Sequence, residues 1–223
     1  SIAFSPDGTR LAVDATLNGN RDIWIKDLTG GGLIRLTFDV AVDGFPVWSP
    51  DSRTIVFESG RKNGFDIYAK AANGAGAEEV WLERPGNQWP QDVSTDGKWL
   101  VYFDADNGGD LLAMPLPIGG NQTPVPIATT PFSEGQPTVS PDGAWVAYTT
   151  SESGRDEVVV QAFPKANGKW QVSAGGGHSP QWGPGGKELD FISGATMMAA
   201  TVRPSVGSFN FAPETPSQSE CQT

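Results

Sequence analysis

The sequence predicts an all-β fold, a β-propeller of four-stranded antiparallel blades with five repeats visible. The first observation is a stretch that recurs five times, most plainly as V-W-S-P-D-S-R-T-I-V-F-E-S at residues 47–59. The second is its spacing, because the turn positions Pro6, Pro50, Thr95, Pro141 and Pro184 follow one another at steps of 43 to 46 residues. The third is turn chemistry that recurs at matching places in the copies. Stacked units of about 40–45 residues with such turns are typical of a propeller.

The second repeat shows the predicted elements most clearly. Two Asn-Gly pairs, Asn63-Gly64 and Asn73-Gly74, predict tight turns, since both residues of such a hairpin turn must tolerate a positive φ. The segments between the turns are short and rich in β-branched and aromatic residues, which favours strands. The four predicted strands of this repeat are residues 46–49, 54–59, 65–70 and 79–82.

Turn signals of the same kind recur along the sequence and divide the chain into five predicted blades and a tail. The blades are residues 1–39, 40–84, 85–130, 131–175 and 176–212, and a polar tail follows at 213–223. The chain begins within the first repeat. We therefore expect either that five blades close by packing alone, or that the chain is a fragment of a larger propeller. Missing blades would leave open edges, through which copies of the chain could form a homo-oligomer.

The composition narrows the possible partners. The net charge is −11 and the pI is about 4.4, so no basic stripe exists to displace counterions from phosphates, and we expect no nucleic-acid partner. No run of 18 apolar residues occurs, so we expect no membrane insertion of this segment. The one cysteine, Cys221, cannot form an intrachain disulfide, and cysteine usage does not identify the compartment.

A second recurring motif supports a resemblance to a known family. It reads D-I-W at 22–24 and D-I-Y at 66–68, with weaker copies D-L-L at 110–112 and D-E-V at 156–158. Together with the S-P-D-G turns, these motifs resemble the TolB-type, WD-like β-propeller repeats over nearly the whole chain. That resemblance implies a protein-docking scaffold.

The C-terminal part resembles one group more closely. The stretches at 140–164, 168–182 and 186–191 are similar to the C-terminal propeller of bacterial membrane-anchored serine/threonine protein kinases. The resemblance implies a sensor or interaction module outside the cytoplasm, in the bacterial periplasm or another extracytoplasmic location. It carries over no catalytic residue, because the kinase H-R-D and D-F-G elements are absent.

Motifs for other chemistries are also absent. With one histidine, His178, and one tail cysteine, the chain cannot build a His/Cys zinc site, and it has no G-x-S-x-G elbow or Walker loop. The repeated Pro-Asp-Gly carries a carboxylate, but an Asp at a turn normally caps its own backbone, so we interpret it as structural. The sequence predicts no catalytic residue and no cofactor. A weak calcium candidate is the turn D-A-D-N-G-G-D, with alternating carboxylates at Asp104, Asp106 and Asp110.

The predicted binding site lies just before the first strand of each blade. In a propeller these strands line the axis, and the loops ahead of them open at one mouth of the channel. The residues there do not repeat, and convergent polar and aromatic groups suit a ligand. The alternative is a solvated ring of loops around a water-filled channel. The predicted ligand-binding residues are Asp43, Phe45, Asn87, Gln88, Trp89, Glu134, Gln136 and His178.

Three functions remain open from the sequence. The first is a non-enzymatic ligand- or protein-binding module, the sensor or interaction part of a larger bacterial envelope protein. The second is a small hydrolase or lyase at the channel mouth, with His178 as general base or acid and a carboxylate, Asp43 or Glu134, as its orienting partner. The third is a docking scaffold of TolB type. Fold alone does not choose between them, because propellers carry many functions.

Overall fold

The structure, a computed structural model, describes residues 1–106, 109–119, 122–165, 167–205, 208–212 and 215–216. The regular structure of this part is β-strand, with a 3-10 turn at Pro184–Gly186. Within it, no helix has the length and apolar character needed to cross a membrane. Apart from residues 215 and 216, the predicted tail at 213–223 lies outside the described residues, and Cys221 lies there too.

The strands form five antiparallel sheets, and within each sheet neighbours follow chain order. The first contains β1 (Ile2–Phe4), β2 (Arg10–Leu17), β3 (Asn20–Asp27) and β4 (Leu33–Arg35). The second contains β5 (Asp43–Trp48), β6 (Thr54–Lys62), β7 (Gly64–Ala71) and β8 (Glu79–Leu82). The third contains β9 (Gln88–Val93), β10 (Trp99–Asp104), β11 (Asp110–Pro115) and β12 (Val125–Ala128).

The last two sheets repeat this plan. The fourth contains β13 (Glu134–Val139), β14 (Trp145–Thr150), β15 (Glu157–Ala162) and β16 (Lys169–Gln171). The fifth contains β17 (His178–Trp182), β18 (Glu188–Ser193), β19 (Thr196–Ser205) and β20 (Ser208–Phe211), and a short β21 (Thr215–Pro216) also pairs with β19. The five sheets confirm the predicted all-β propeller fold. The chain divides into two compact units, Ser1–Pro124 and Val125–Thr223.

The repeated turn explains why the motif recurs. In the second blade the Ser49 hydroxyl donates a hydrogen bond to Asp51 (2.6 Å) and accepts one from the Thr54 backbone N–H (2.9 Å). The Asp51 carboxylate in turn accepts the Arg53 backbone N–H at 3.0 Å. The same serine–aspartate bond holds the turns of the first, third and fourth blades. The aspartate is therefore used by its own turn, as the structural interpretation of the Pro-Asp-Gly motif expects.

In the first unit, an apolar cluster packs the first blade against the second. Buried Ala12 and Ile25 of the first blade meet Trp48, Ile55 and Phe57 of the second. The indole N–H of Trp48 also donates a hydrogen bond to the Ala3 carbonyl at 2.9 Å. Burying an aliphatic or aromatic side chain of this size stabilises the folded state by about 1.5–3 kcal/mol. Contacts between consecutive blades therefore form the core of this unit.

The second unit uses the same arrangement. Ala147 and Val160 of the fourth blade pack against Leu189 and Phe191 of the fifth. Trp182 is the counterpart of Trp48, and its indole N–H donates a hydrogen bond to the Thr138 carbonyl of the preceding blade at 3.0 Å. The tryptophans thus lie at blade contacts, where they contribute both buried area and a satisfied donor.

Candidate functional site

A recurring β-bulge shapes the start of the first strand in three blades. The register of β5, β13 and β17 shifts at the bulge, and the residue before the proline that recurs in these strands has a left-handed backbone. These residues are Phe45 (φ 49°), Gln136 (φ 54°) and Ser179 (φ 55°). The residues expected in loops therefore begin the first strands instead. A bulge admits a proline, which lacks an N–H for the ladder, and it also redirects a side chain. Non-glycine residues held in this region carry about 1–3 kcal/mol of strain, which often marks a functional site.

An aromatic shelf, defined as Phe45, Trp89 and Phe103, extends from the bulge at Phe45 in the first unit. Phe45 stacks on Trp89 with ring centroids 6.3 Å apart, and Trp89 stacks on Phe103 at 5.2 Å with the planes 2° apart. Phe45 keeps 41% of its surface exposed. The predicted pair Phe45 and Trp89 is thus brought together. Phe103 was not predicted, because its sequence position gives no sign beyond pairing opposite Trp89.

A charged cluster, defined as Asp14, Arg21 and Glu58, lies beside the shelf. The Arg21 guanidinium donates a hydrogen bond to Glu58 at 2.6 Å and lies 5.8 Å from the centre of the Phe45 ring. The Phe45 backbone N–H donates to the Asp14 carboxylate at 3.1 Å. Burial raises the pKa of Glu58 to about 7, although Arg21 opposes the shift. This cluster was not predicted from the sequence, because its members come from second and third strands rather than from the unrepeated segments.

The other predicted residues of the first unit mainly support the structure. Asp43 is fully buried beside the Arg61 guanidinium, 3.0 Å away, and burial raises the pKa of its carboxyl. Gln88 is also fully buried, and its amide donates a hydrogen bond to the Pro85 carbonyl at 2.9 Å. The Asn87 side chain accepts the Phe65 backbone N–H at 3.0 Å. These three side chains hold the strand ends in place, whereas the side chains of Phe45 and Trp89 belong to the aromatic shelf.

The second unit contains a polar pocket of about 390 Å³. It brings together the predicted residues Glu134, Gln136 and His178. Gln136 accepts the Ser179 backbone N–H at 2.9 Å and donates to the Ser179 hydroxyl at 3.0 Å, which locks two bulges side by side. His178 Nδ1 lies 3.0 Å from the same hydroxyl, so its bonded neighbour is a serine rather than a carboxylate. The residues that line this pocket are Ser133, Glu134, Gly135, Gln136, Thr149, Asp156 and His178.

The calcium candidate does not form a cage. Among the described residues, no group of three or more His, Cys, Asp or Glu side chains is placed to hold a metal ion. Asp104 and Asp110 pair across β10 and β11, and burial followed by the Asp104 charge raises the pKa of Asp110. The Asp106 backbone N–H donates a hydrogen bond to Asp104 at 3.2 Å. The antiparallel pairing of β10 with β11 is sufficient to explain why Asp104 and Asp110 lie opposite each other.

The carboxylates of the second motif hold loops. Asp66 accepts the Arg84 backbone N–H at 3.3 Å. In the fourth blade the register places Glu157, not Asp156, at the equivalent position, since Thr150 pairs with Glu157 as Ser59 pairs with Asp66. Buried Glu157 accepts the Gly176 backbone N–H at 3.1 Å. Asp66 and Glu157 thus fix the loops that lead to the third and fifth blades.

Comparison with known proteins identifies the family. The model of the TolB beta propeller domain matches residues 1–186, which is most of the chain. This chain belongs to the TolB beta propeller domain family.

Solved structures and a curated relative extend the comparison. TolB from Acinetobacter baumannii superposes on 98% of this TolB-family chain with a TM-score of 0.71 at 18% identity, and the chain covers 54% of that protein. An oligogalacturonate lyase in complex with manganese superposes on 97% with a TM-score of 0.67 at 16% identity, and 65% of it is covered. An uncharacterized protein of Agrobacterium fabrum is 30% identical over 104 residues, which are 46% of this chain and 36% of that protein. The chain thus spans about a third of that relative, and at these identities the structures share the fold alone.

Proposed function

We propose that this TolB-family propeller is a non-enzymatic protein-binding module that receives a partner segment on the aromatic shelf. The observation that carries the proposal is the stack of Phe45, Trp89 and Phe103, whose outer ring is exposed on a strained bulge. Aromatic side chains and arginine are enriched at the centres of protein interfaces. The charged cluster adds a hydrogen-bonding flank, because Arg21 and Glu58 adjoin the Phe45 ring.

A defined peptide probe tests the binding role. Random peptides displayed on phage are selected on the purified chain, and the Kd of the enriched peptides is measured by calorimetry. We expect Phe45→Ala and Trp89→Ala each to weaken binding by at least about fivefold, since a stacked aromatic anchor contributes about 1–3 kcal/mol. Phe38→Ala is the matched control, because Phe38 is an exposed aromatic that is not part of the shelf, and Arg35 lies over its ring. Equal loss in all three variants would contradict the proposal.

The same proposal includes the larger protein to which the module belongs and the location of that protein in the cell. The resemblance of residues 140–191 to the propellers of membrane-anchored kinases supports a sensor or interaction role in a larger bacterial envelope protein, outside the cytoplasm. The chain's partial coverage of its relatives supports a larger parent protein. A fusion of the whole protein to alkaline phosphatase, which is active only outside the cytoplasm, tests the location. An inactive but stable fusion would contradict it.

A second candidate function is a lyase that acts in the polar pocket. The superposed oligogalacturonate lyase favours it, and so does the position of His178 in one cavity with Glu134 and Asp156. In a β-elimination, His178 would remove the proton from the carbon next to a carboxylate of the substrate. The C–H electron pair would form the new C=C bond, and the glycosidic oxygen on the next carbon would leave and take a proton from solvent. The test incubates the protein with oligogalacturonate, with and without manganese, and follows the ultraviolet absorbance of the unsaturated product. Activity that His178→Ala abolishes would favour the lyase over the binding module.

A further inference from the structure

Each of the first four blades carries a carboxylate at one equivalent position, at or near the start of its third strand. The position is equivalent because the register pairs it with the same residue of the second strand in every blade. The four residues are Asp22, Asp66, Asp110 and Glu157. A carboxylate buried at such a place needs a cation or hydrogen-bond donors to replace the water that it loses. The partners of these four carboxylates can therefore be compared blade by blade.

In the first and fourth blades an arginine supplies the cation. Buried Asp22 lies 2.7 Å from the Arg35 guanidinium, and buried Glu157 lies 2.8 Å from Nε of Arg155. Arg35 belongs to the fourth strand of its blade, and Arg155 belongs to the turn before the third strand. A guanidinium suits this position, because its planar fork of donors matches the geometry of a carboxylate.

The second blade has an uncharged residue at both of these positions. Val80 stands where the first blade has Arg35, because each of the two pairs with the aromatic residue of the D-I-W or D-I-Y motif. Gly64 stands where the fourth blade has Arg155, because each lies two residues before the carboxylate. The second blade therefore supplies no arginine from either place.

Asp66 is consequently a buried carboxylate without a cation. It is 4% exposed and accepts the Arg84 backbone N–H at 3.3 Å, and within the described part of the chain it forms no ion pair. Burial raises the pKa of Asp66, as is expected for a carboxylate that loses water and gains only one long hydrogen bond. Asp110 in the third blade differs, because it is only half-buried and water can hydrate it.

Asp66 lines an open pocket of about 570 Å³, between the turn that joins β6 to β7 and the loop that leads to β9. This volume suits a small organic molecule. Lys62 and Glu83 also line the pocket, but they pair with each other. Arg84 lines it too, its side chain is exposed, and it forms no ion pair among the residues that the structure describes. The pocket therefore offers a ligand both a buried carboxylate and a guanidinium.

We propose that this pocket binds a small molecule that carries a guanidinium group and a carboxylate, with its guanidinium on Asp66 and its carboxylate on Arg84. The ligand takes the place of the arginine that the first and fourth blades supply from their own chain. The proposal does not depend on the binding role of the aromatic shelf, because Phe45, Trp89 and Phe103 are not among the residues that line this pocket.

Three related probes test the two charged contacts by calorimetry on the purified chain. L-Arginine carries both groups, L-citrulline has the same shape without the positive charge, and agmatine lacks the carboxylate. We expect arginine to bind and citrulline to bind at least about tenfold more weakly, because citrulline leaves the charge of Asp66 unpaired. Agmatine should bind about two- to fivefold more weakly than arginine, since the contact that it loses is with an exposed side chain.

Two substitutions at the Asp66 end locate the site. Asp66→Asn keeps an oxygen for the Arg84 N–H but removes the charge, and it should weaken arginine binding at least about tenfold. Val80→Arg restores the cation that the first blade has. It should weaken arginine binding to the same degree without lowering Tm, because Val80 is 46% exposed. Glu79→Gln is the control, since Glu79 is an exposed carboxylate of the same strand that does not line the pocket, and it should bind arginine as the wild type does.

A substitution at the other end tests the second contact. Arg84→Gln should weaken the binding of arginine to the level of agmatine and leave agmatine binding unchanged. The dipeptide Gly-Arg distinguishes two sources of the same chemistry. Binding of Gly-Arg as tight as that of arginine supports the proposal with the C-terminal arginine of a peptide as ligand, and binding of arginine alone supports it with a free small molecule.

Three results would overturn the proposal. One is the absence of measurable arginine binding at millimolar concentrations. Another is equal binding of arginine and citrulline, which would mean that the charge of Asp66 is not used. The third is wild-type binding of arginine by Asp66→Asn or by folded Val80→Arg, because either result would place the ligand elsewhere.

Discussion

Replacing Glu58 with glutamine is expected to change how the stability of the protein depends on pH. The Glu58 carboxyl is buried beside Phe45, and burial raises its pKa to about 7 from an ordinary value of 4.5. The folded state therefore holds this proton more tightly than the unfolded state does. Stability from this group is fully present below pH 4.5 and is lost as the pH rises through 7.

The magnitude follows from the two pKa values. The difference between about 7 and 4.5 corresponds to about 3 kcal/mol of unfolding free energy. Glutamine cannot titrate, so any change in unfolding free energy that comes from the altered contact with Arg21 is the same at every pH. The free energy of unfolding of Glu58→Gln minus that of the wild type should therefore rise by about 3 kcal/mol between pH 4 and pH 8.

Urea titrations at half-unit intervals from pH 4 to pH 8 measure this difference. Glu83→Gln is the matched control, because Glu83 is an exposed carboxylate paired with Lys62 on the surface. The control should follow the wild type at every pH. If Glu58→Gln also runs parallel to the wild type, the Glu58 carboxyl does not titrate in this range, and the proposed desolvation beside the shelf is wrong.

Three further predictions concern contacts inside the fold, and each is measured by urea unfolding at pH 7. Gly44→Ala should cost about 1–2 kcal/mol more than Gly135→Ala, because a Cβ at Gly44 would meet the Arg21–Glu58 pair within 3 Å, whereas Gly135, its counterpart in the fourth blade, has nothing within 4 Å. Gly64→Ala should destabilise by more than about 2 kcal/mol, since its Cβ would lie 2.2 Å from the Gly86 carbonyl oxygen. Leu189→Ala, at a fully buried blade contact, should cost about 2–5 kcal/mol. Equal values for Gly44→Ala and Gly135→Ala would refute the steric argument.

The repeated parts of the fold could be predicted because their causes are local. The serine and aspartate of each S-P-D-G turn bond within five residues of each other, so the sequence pattern contains the whole interaction. The pair Asn18-Gly19 also has the positive φ values expected of its turn, 53° and 86°. Asn63-Gly64 differs, since neither residue has a positive φ. Gly64 is needed there because the backbone of the loop before β9 approaches it closely.

The candidate site was less predictable because its contacts cross between blades. Phe45 and Trp89 were expected from their unrepeated positions, but Phe103 and Glu58 stand within regular second strands, where the pattern gives no functional signal. Asp43 was predicted as a ligand-binding residue, and it lies fully buried beside Arg61. A carboxylate at the start of a strand can face either the solvent or a cation. For Asp43 the cation is Arg61, which is 18 residues further along the chain and therefore outside the local sequence pattern.

The three bulges give the strongest reason to connect the strained backbone with binding. Phe45, Gln136 and Ser179 share one left-handed conformation, although glycine or asparagine would adopt it at lower cost. If the bulge served only to place the following proline, the least strained residue would suffice in each blade. Instead, the first unit keeps an exposed aromatic ring there, and the second keeps an amide and a hydroxyl that bond to each other. The side chain at each bulge therefore makes a contact or a surface that the bulge itself does not require. In the first unit that surface is the exposed end of the aromatic shelf.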